Sequence, residues 1–341
     1  MNTPLVSILI PTYNRPEYLR RAVESCLAQT YPHFEIVITD NSTNDSSAKL
    51  MATYTDPRIR YCSNGGNIGA VNSSNRAVDL SQGKYVKFLM DDDLLKPRCL
   101  ELMVDALEKN PTAALAMAPM DLIDEDDQRI YPTFYVFRKM EYRYRYQVGD
   151  GFVDRKTLLR EYLTHDYPCC VPSGMMFRGD ALRNAGPFDP KADFAGDLDM
   201  CMRIAPTNDA YYIDEVLSSW RFTTACHTAS IHQTGLHIDA FYYITRKCLD
   251  NPATREMFKG EWNQIVKQSL YFCSCRCLLN ALAGIRARSP KILWRTLRTV
   301  TREDPYLTNW LRIPFFALRE IFVSLIPPKP PPAREASGAT H

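Results

Sequence analysis

Several features that would assign this chain to a broad class are missing from its sequence. No apolar run reaches the roughly 18 residues that a membrane-spanning helix needs. The first residues lack the charged region and the cleavage site of a signal peptide. The formal net charge is only +2, so no overall field favours nucleic acid. These absences predict a cytoplasmic protein with no nucleic-acid partner.

The common phosphate-binding and zinc-binding motifs are also missing. The chain has neither a G-x-x-x-x-G-K-[ST] loop nor a G-x-G-x-x-G turn after a strand, which disfavours Walker ATPases and dinucleotide dehydrogenases. None of its 11 cysteines form the C-x-x-C pairs of a zinc site. Cys273, Cys275 and Cys277 alternate within a helical stretch, where core packing is a simpler interpretation than zinc binding.

Three consecutive aspartates, Asp91, Asp92 and Asp93, are the most informative feature that is present. They follow the apolar run Tyr85–Met90, which has the length and the aromatic and branched content of a buried strand. Strand alternation would place Asp91 and Asp93 on one face. Two carboxylates in a buried cleft repel each other unless a divalent cation lies between them. The alternative is an acidic loop that caps the next helix, although Pro97 marks the start of that helix.

Strand-like and helical segments alternate over the first third of the chain. Apolar strands are predicted at residues 5–10, 34–39, 58–62 and 85–90, each followed by a helical segment. This order predicts a mainly parallel sheet with right-handed crossovers. Because ligands bind beyond the carboxyl ends of such strands, we expect Asp40, Asp91 and the Pro11–Asn14 turn at one cleft.

The order and spacing of five motifs resemble family 2 glycosyltransferases, which are inverting enzymes of GT-A fold. The motifs are Val6–Pro16, Ile38–Ser42, Asn67–Asn75, Gly83–Asp93 and Ala195–Arg203, and the resemblance covers roughly residues 4 to 230. It implies a nucleotide-sugar donor, with a UDP-sugar favoured, and Mn²⁺ or Mg²⁺ as cofactor. It also implies a glycan or lipid-linked acceptor in the synthesis of envelope or extracellular polysaccharide.

The resemblance implies roles for individual residues as well. It places Tyr13 and Asp40 near the donor base, Asp91 near the ribose and Asp93 on the metal that binds the diphosphate. Asp197 would be the general base that accepts the proton of the attacking hydroxyl. From the local pattern alone, Asp197 is equally the N-cap of a helix over residues 198–204. The other donor-binding residues that the resemblance implies are Pro11, Asn67, Asn75 and Asp92.

Two departures from the family pattern affect the predicted site. Gly196 stands where many members carry a second acid before the base. Arg221 is followed by Phe222 rather than by an early histidine, so the later His227 is a candidate metal or diphosphate contact, or else an ordinary structural histidine. Two alternatives therefore stay open. One is a noncatalytic nucleotide-sugar-binding scaffold, and the other is a nucleotidyltransferase or phosphotransferase that uses the same cation cleft.

The predicted organisation changes along the chain. Residues 1–118 are expected to form the nucleotide-sugar-binding half and residues 119–237 the acceptor-binding half with the base. Residues 238–326 are expected to form a helical C-terminal extension and residues 327–341 a proline-rich disordered tail. Aromatic and basic residues interleave over 131–146, which is typical either of a strand with one wet face or of a wall that contacts the acceptor.

A basic amphipathic helix is predicted near residues 288–302. Its basic side chains recur at three- and four-residue steps and are Arg288, Lys291, Arg295, Arg298 and Arg302. Residues 281–341 carry ten Lys and Arg against four Asp and Glu, a local charge of +6, which leaves −4 for residues 1–280. Such a helix can bind peripherally to the inner face of an anionic membrane, or its basic face can simply be solvated.

Overall fold

The computed structural model describes residues 3–130, 150–165, 171–222, 237–286 and 290–306. Within these ranges, eight strands form one mixed sheet and four strands form a smaller second sheet. The strands are β1 (Val6–Thr12), β2 (Phe34–Asp40), β3 (Ile59–Ser63), β4 (Tyr85–Phe88), β5 (Leu94–Leu95), β6 (Ala113–Met117), β7 (Met120–Ile123), β8 (Arg129–Ile130), β9 (Gly151–Val153), β10 (Met175–Arg178), β11 (Asp209–Tyr212) and β12 (Ser218–Arg221). The helices are α1 (Pro16–Leu27), α2 (Ser46–Met51), α3 (Ala70–Leu80), α4 (Cys99–Lys109), α5 (Arg155–Thr164), α6 (Gly179–Asn184), α7 (Gly196–Ile204), α8 (His237–Leu249), α9 (Pro252–Met257), α10 (Trp262–Arg286) and α11 (Pro290–Glu303).

The larger sheet has the strand order β3-β2-β1-β4-β10-β6-β11-β9. Its first four strands are all parallel to one another. Strand β10 lies antiparallel between β4 and β6, β11 is parallel to β6, and β9 is antiparallel at the edge. The predicted α/β class with a mainly parallel sheet is therefore confirmed.

Helices cover both faces of this sheet, and β1 shows why its sequence is continuously apolar. Ile8 and Ile10 point into one buried cluster, which they share with residues of α1 and α4. Leu9 points to the opposite face, into a second buried cluster with residues of α5, α7 and α8. A parallel strand buried on both faces needs apolar side chains at successive positions rather than at alternate ones.

The helices after residue 237 pack onto the same core. Ala240, Phe241 and Ile244 of α8 belong to the buried cluster that contains Leu9 of β1. The buried core continues across residue 237 and shows no boundary there. The predicted division at this residue therefore stays a prediction. None of the described helices is both long enough and apolar enough to cross a bilayer.

The predicted basic amphipathic helix is present as α11. Val300 is fully buried, whereas Trp294, Arg295, Arg298 and Arg302 are exposed. Arg295 and Arg302 each contact an acidic side chain, Asp239 and Glu303 respectively. The helix thus has one face in the core and one basic face in solvent; Arg288 lies outside the described residues.

Candidate active site

The candidate site begins where three neighbouring strands, β2, β1 and β4, reach their carboxyl ends. Thr12 of β1 is the register partner of Asp40 of β2. The Thr12 hydroxyl donates to Asp91 Oδ2 at 2.8 Å, and the backbone N–H of Tyr13 donates to the same oxygen at 3.3 Å. The structure therefore brings Asp40 and Asp91 to one edge of the sheet, on either side of Thr12.

Asp40 and Tyr13 differ sharply in exposure. Asp40 is buried, and its two oxygens accept from the Ser42 N–H at 2.7 Å and the Tyr61 hydroxyl at 2.6 Å. Burial and the hydrogen bond to Asp40 raise the pKa of Tyr61, so this hydroxyl keeps its proton. Tyr13 is 45% exposed, and Pro11, two residues earlier, is half-buried. A rigid acid and an accessible aromatic ring therefore lie at adjacent strand ends.

The three aspartates, here called the acidic trio (Asp91–Asp93), do not continue the strand. Strand β4 ends at Phe88, and the N–H of Asp93 donates to the carbonyl of Met90 at 3.0 Å in a turn. The prediction that alternation places Asp91 and Asp93 on one face is wrong, because a turn has no two-residue alternation. All three carboxylates nevertheless converge: those of Asp91 and Asp92 lie next to Arg15, and both raise the pKa of Asp93.

Arg15 supplies the positive charge at this point. Its Nη1 lies 2.8 Å from Asp92 Oδ2 and 3.6 Å from Asp91 Oδ1. Burial and the neighbouring Asp92 raise the pKa of Asp91 to about 7, although Arg15 opposes the shift. Burial also raises the pKa of Asp92. One guanidinium does not offset the cost of crowding and burying these carboxyl groups.

Asp93 is the most buried member of the acidic trio. Its Oδ1 accepts from the backbone N–H of Arg221 at 3.0 Å. Its Oδ2 is buried and has no hydrogen-bond partner of normal geometry within the described part of the chain. Burial and Asp92 raise the pKa of Asp93 well above its usual range, while the nearby Ser173 hydroxyl lowers it by a smaller amount. A buried acceptor oxygen without a donor is costly unless a cation or a proton satisfies it.

Arg221 is a site residue whose role the local sequence pattern does not reveal. It is fully buried at the end of β12, and its Nε donates to the carbonyl of Asp92 at 2.9 Å. Its terminal nitrogens donate to the Asp124 carbonyl and the Asp127 carboxylate, and the guanidinium lies 4.9 Å from the centre of the Tyr18 ring. Arg221 therefore fixes the backbone of the acidic trio from a second sheet.

The predicted base Asp197 lies in the first turn of α7. The helix begins at Gly196 and its N-cap residue is Ala195, so the interpretation of Asp197 as the N-cap is wrong. Asp197 is half-buried, and its Oδ1 accepts from the Leu198 N–H at 2.7 Å. A Cβ atom on Gly196 would lie 3.8 Å from the Phe188 ring, so this position has room for a side chain.

Residues 186–199, here called the base segment, lie beside the end of β4. The rings of Phe88 and Phe188 meet edge to face with centroids 5.4 Å apart. The Asn75 amide of α3 accepts from the Phe188 N–H at 2.7 Å and donates to the Phe188 carbonyl at 3.0 Å. Asn75, predicted to bind the donor, thus binds the base segment in this structure.

Of two other predicted site residues, the structure describes Asn67 but not His227. Asn67 is exposed, and its side-chain oxygen accepts from the Gly69 N–H at 2.9 Å, within the loop before α3. His227 lies outside the described residues, as do residues 131–146. Within the described ranges, no group of three or more His, Cys, Asp or Glu side chains could hold a metal ion by itself.

Comparison with known proteins agrees with this geometry. Residues 7–186, more than half of the chain, match the model of glycosyl transferase family 2. The chain belongs to this family. An uncharacterized glycosyltransferase of Rickettsia typhi is 28% identical over 274 residues, which cover 79% of this chain and 80% of the relative. The family that the sequence motifs predicted is therefore confirmed.

Solved structures show that this glycosyltransferase has the GT-A fold. S. aureus TarS 1-349, in complex with UDP-GlcNAc, has a TM-score of 0.59 at 16% identity over 79% of this chain and 71% of that chain. The mannosyltransferase PcManGT from Pyrobaculum calidifontis, in complex with GDP-Man and Mn²⁺, has a TM-score of 0.55 at 17% identity. That match covers 95% of this chain and 88% of the other. Identities this low support the shared fold and nothing finer.

The acidic trio of the glycosyltransferase fits a hard divalent cation. Its ligands would be carboxylate oxygens, which Mg²⁺ and Mn²⁺ prefer, and Asp93 Oδ2 is a buried oxygen without a donor in the described ranges. A cation would also favour the ionised forms of carboxyl groups whose pKa burial has raised. In the described ranges the protein alone supplies fewer than three clustered ligands, and Mg²⁺ in proteins is usually held by one or two carboxylates with other ligands from water or substrate.

Proposed function

We propose that this glycosyltransferase moves a sugar from a nucleoside-diphosphate donor to a hydroxyl acceptor with inversion at the anomeric carbon. The observation that carries the proposal is the meeting of Asp40, Thr12 and the acidic trio at three adjacent strand ends, with the base segment alongside. The nucleotide sugars named for TarS and PcManGT support this donor class. A UDP-sugar is the first candidate.

In this proposal, different residues bind different parts of the donor. The exposed ring of Tyr13 stacks on the nucleotide base, and Asp40 lies near that base. Asp91, fixed by Thr12 and by the Tyr13 backbone, accepts from a ribose hydroxyl. Asp92 and Pro11 complete the wall of the donor site, and Arg15 keeps Asp92 in place.

Asp93 holds Mn²⁺ or Mg²⁺ in this proposal. When bound, the cation neutralises charge on the departing diphosphate. The contribution of the chain is to fix the ligand: the Arg221 backbone occupies Oδ1 and leaves Oδ2 for the ion. His227 is a second candidate ligand or diphosphate contact.

Asp197 acts as the general base. Its carboxylate takes the proton of the acceptor hydroxyl as that oxygen bonds to the anomeric carbon. The nucleoside diphosphate leaves from the opposite face with the bonding electron pair. A position in the first turn of α7 favours the ionised carboxylate, because the backbone N–H groups there carry partial positive charge. General bases of this kind contribute typically about 10²- to 10⁴-fold in rate.

A panel of nucleotide sugars with Mn²⁺ tests the function. We expect release of free nucleoside diphosphate from one donor, with loss of the activity after chelation of the metal. Tight donor binding without any release would instead support the noncatalytic scaffold. Incorporation of the sugar phosphate or the nucleotide into product, rather than the sugar alone, would support the phosphotransferase or nucleotidyltransferase alternative.

The acceptor that we propose is a glycan or lipid-linked glycan at the inner face of a membrane, in envelope or extracellular polysaccharide synthesis. Support comes from α11, whose exposed face carries Trp294, 74% exposed, and Arg298 one turn later. An indole beside arginines suits an anionic lipid surface, where the ring enters the interface and the guanidinium pairs with phosphate. In this proposal the enzyme is cytoplasmic and binds the membrane peripherally.

Vesicle binding tests the membrane contact. We expect sedimentation of the protein with phosphatidylglycerol vesicles and not with phosphatidylcholine vesicles. Arg298→Gln should weaken binding about fivefold, since one basic residue near an anionic surface contributes about 1 kcal/mol. Trp294→Ala should weaken it as well. Lys109→Gln, which changes an exposed lysine on α4, is the control. Equal binding of all variants would exclude α11 as the contact.

A further inference from the structure

Four charged side chains, two of them in the base segment and two beside it, have no role in the predicted chemistry. This charge cluster consists of Asp189, Asp199, Arg203 and Lys247. Asp199 of α7 is almost fully buried, and its Oδ2 lies 2.9 Å from Arg203 Nε. Arg203 also donates to the carbonyls of Ala185 and Gly186. Asp199 and Arg203 therefore connect the helix that carries Asp197 to the start of the base segment.

Lys247 enters the charge cluster from α8, in the C-terminal helical region. Its Nζ lies 3.0 Å from Asp199 Oδ1 and 2.7 Å from Asp189 Oδ2. The Tyr243 hydroxyl, one turn earlier on α8, donates to the same Asp189 oxygen at 2.6 Å. One ammonium group thus bridges two carboxylates that lie on either side of the predicted base in sequence.

The charges in the cluster balance, and the bridge is strong. Two carboxylates face one guanidinium and one ammonium group. Burial raises the pKa of Asp189, but hydrogen bonds from Lys247 and Tyr243 outweigh it and hold the pKa well below its usual range. Burial lowers the pKa of Lys247, and the contacts with Asp189 and Asp199 more than reverse this. At neutral pH Asp189 is therefore ionised and Lys247 protonated, and the two side chains are bound to each other.

Apolar packing also holds the base segment against α8. Several of its apolar residues share a buried core with α8, and the rings of Phe241 and Phe194 meet edge to face at 5.9 Å. On the opposite side, Asn75 binds the Phe188 backbone. Asp197 lies between these two sets of contacts and at the start of a short helix, so its direction depends on how firmly both ends of the segment are held.

We propose that Lys247 is a positioning residue for the transfer step: from α8 it joins Asp189 to Asp199 and so sets the position of Asp197. The inference rests on the proposed function, because it takes Asp197 as the base. The donor side has separate anchors in Thr12, Arg15 and Arg221. Loss of Lys247 should therefore affect turnover and not nucleotide binding. A displacement of about 1 Å in a catalytic group can cost about 10²-fold in rate.

Kinetics of Lys247→Met and Lys247→Arg test the proposal. Turnover is measured as nucleoside-diphosphate release from the donor found in the panel, and UDP binding by calorimetry with Mn²⁺. We expect kcat of Lys247→Met to fall at least tenfold, with unchanged UDP affinity and unchanged KM for the donor. Lys247→Arg should restore part of kcat, because a guanidinium can also contact both carboxylates. Lys259→Met, which removes an exposed lysine paired with Glu256, should match the wild type.

Two outcomes would overturn the proposal. One is a normal kcat in Lys247→Met; the other is a parallel loss of kcat and UDP affinity, which indicates general loosening of the fold. If Lys247→Met does not fold, Asp189→Asn and Tyr243→Phe each remove one contact of the bridge. Both variants should show a reduced kcat with unchanged UDP affinity, and the loss of kcat should be smaller than in Lys247→Met. If kcat were normal in both variants, the role of the bridge would be refuted.

Hydrogen exchange separates failure of this proposal from failure of the proposed function. In Lys247→Met, amides of residues 190–199 should exchange faster, whereas amides of β1 should keep their wild-type rates. This readout needs no donor or acceptor. If the wild type released no nucleoside diphosphate from any donor, the proposed function would fail, yet faster exchange would still show that Lys247 fixes the base segment. Unchanged exchange would contradict the proposal whatever the activity.

Discussion

The donor side and the base segment of this glycosyltransferase differ in what holds their side chains in place. On the donor side, Thr12 lies between Asp40 and Asp91 because the three parallel strands are in register. The base segment instead combines core packing with polar side chains from distant helices, Asn75 of α3 and Lys247 of α8. Strand register therefore brings the predicted donor residues together, while the predicted base relies more on side-chain contacts between separate elements. Donor binding and transfer should fail separately under mutation.

The largest difference between the effect on turnover and the effect on UDP binding is expected for Asp197→Asn. The amide is nearly isosteric with the carboxylate but cannot accept a proton from the acceptor hydroxyl. We expect kcat to fall about 10²- to 10⁴-fold, with UDP binding unchanged. The measurement is the rate of nucleoside-diphosphate release beside UDP calorimetry. Asp193→Asn, an exposed change in the same segment, serves as the control. A near-normal kcat in Asp197→Asn would remove Asp197 from the mechanism.

Asp93→Ala should produce the opposite pattern. Loss of a direct metal ligand should weaken Mn²⁺-dependent UDP binding by more than the about 10- to 100-fold that outer partners of a metal site cost. UDP binding without metal should not change, because the Tyr13 and Asp40 contacts remain. Calorimetry with and without Mn²⁺ gives both values, with Asp105→Ala on the surface of α4 as the control. Equal metal dependence in Asp93→Ala and the wild type would refute the role of Asp93.

Asn75→Ala should have a smaller effect on kcat, and it tests whether Asn75 acts on the donor side or on the base segment. Asn75 lies on α3, next to the donor strands, but its amide binds the Phe188 backbone. Two lost hydrogen bonds should lower the free energy of unfolding by about 1–3 kcal/mol, at about 0.5–1.5 kcal/mol each. We expect reduced kcat and unchanged UDP affinity.

Asn72→Ala, on the exposed side of the same helix, should change neither kcat nor UDP affinity. The stability change in Asn75→Ala would be followed by denaturant unfolding. A fall in UDP affinity in this variant, without a fall in kcat, would return Asn75 to the donor site that its motif predicted.

The residues of the predicted donor side can be found from the sequence because each of them directly follows a strand in the chain. Apolar runs mark β1, β2 and β4, and the residues that follow each run must lie at the carboxyl edge of a parallel sheet. Asp40 and Asp91 can therefore be placed together from their positions in the chain alone. The same reasoning overextends β4 to Met90, since periodicity does not show where a strand turns. Asp92, predicted on the other face of the strand, consequently lies with Asp91 beside Arg15.

The contacts between residues far apart in the chain could not be predicted in this way. Lys247 and Asp199 are 48 residues apart, and Arg221 and Asp93 are 128 residues apart. Neither pair has a spacing that indicates a contact, because the partners meet only through the packing of separate elements. The sequence pattern draws attention to Arg221 only because the histidine expected shortly after it is missing. Its backbone and guanidinium contacts depend on the second sheet, whose short strands give weak sequence signals.

The antiparallel strand β10 has a consequence for the order of assembly. Strands β1 to β4 come from the first 88 residues and pair in parallel with each other, whereas β10 is synthesised much later and inserts beside β4. Asp93 receives its backbone donor only when Arg221 has been added. The proposed metal ligand Asp93 is thus held by a strand whose last residue follows it by 128 positions in the chain. Mn²⁺ affinity would therefore depend on β12 as well as on the strands that carry the proposed donor site.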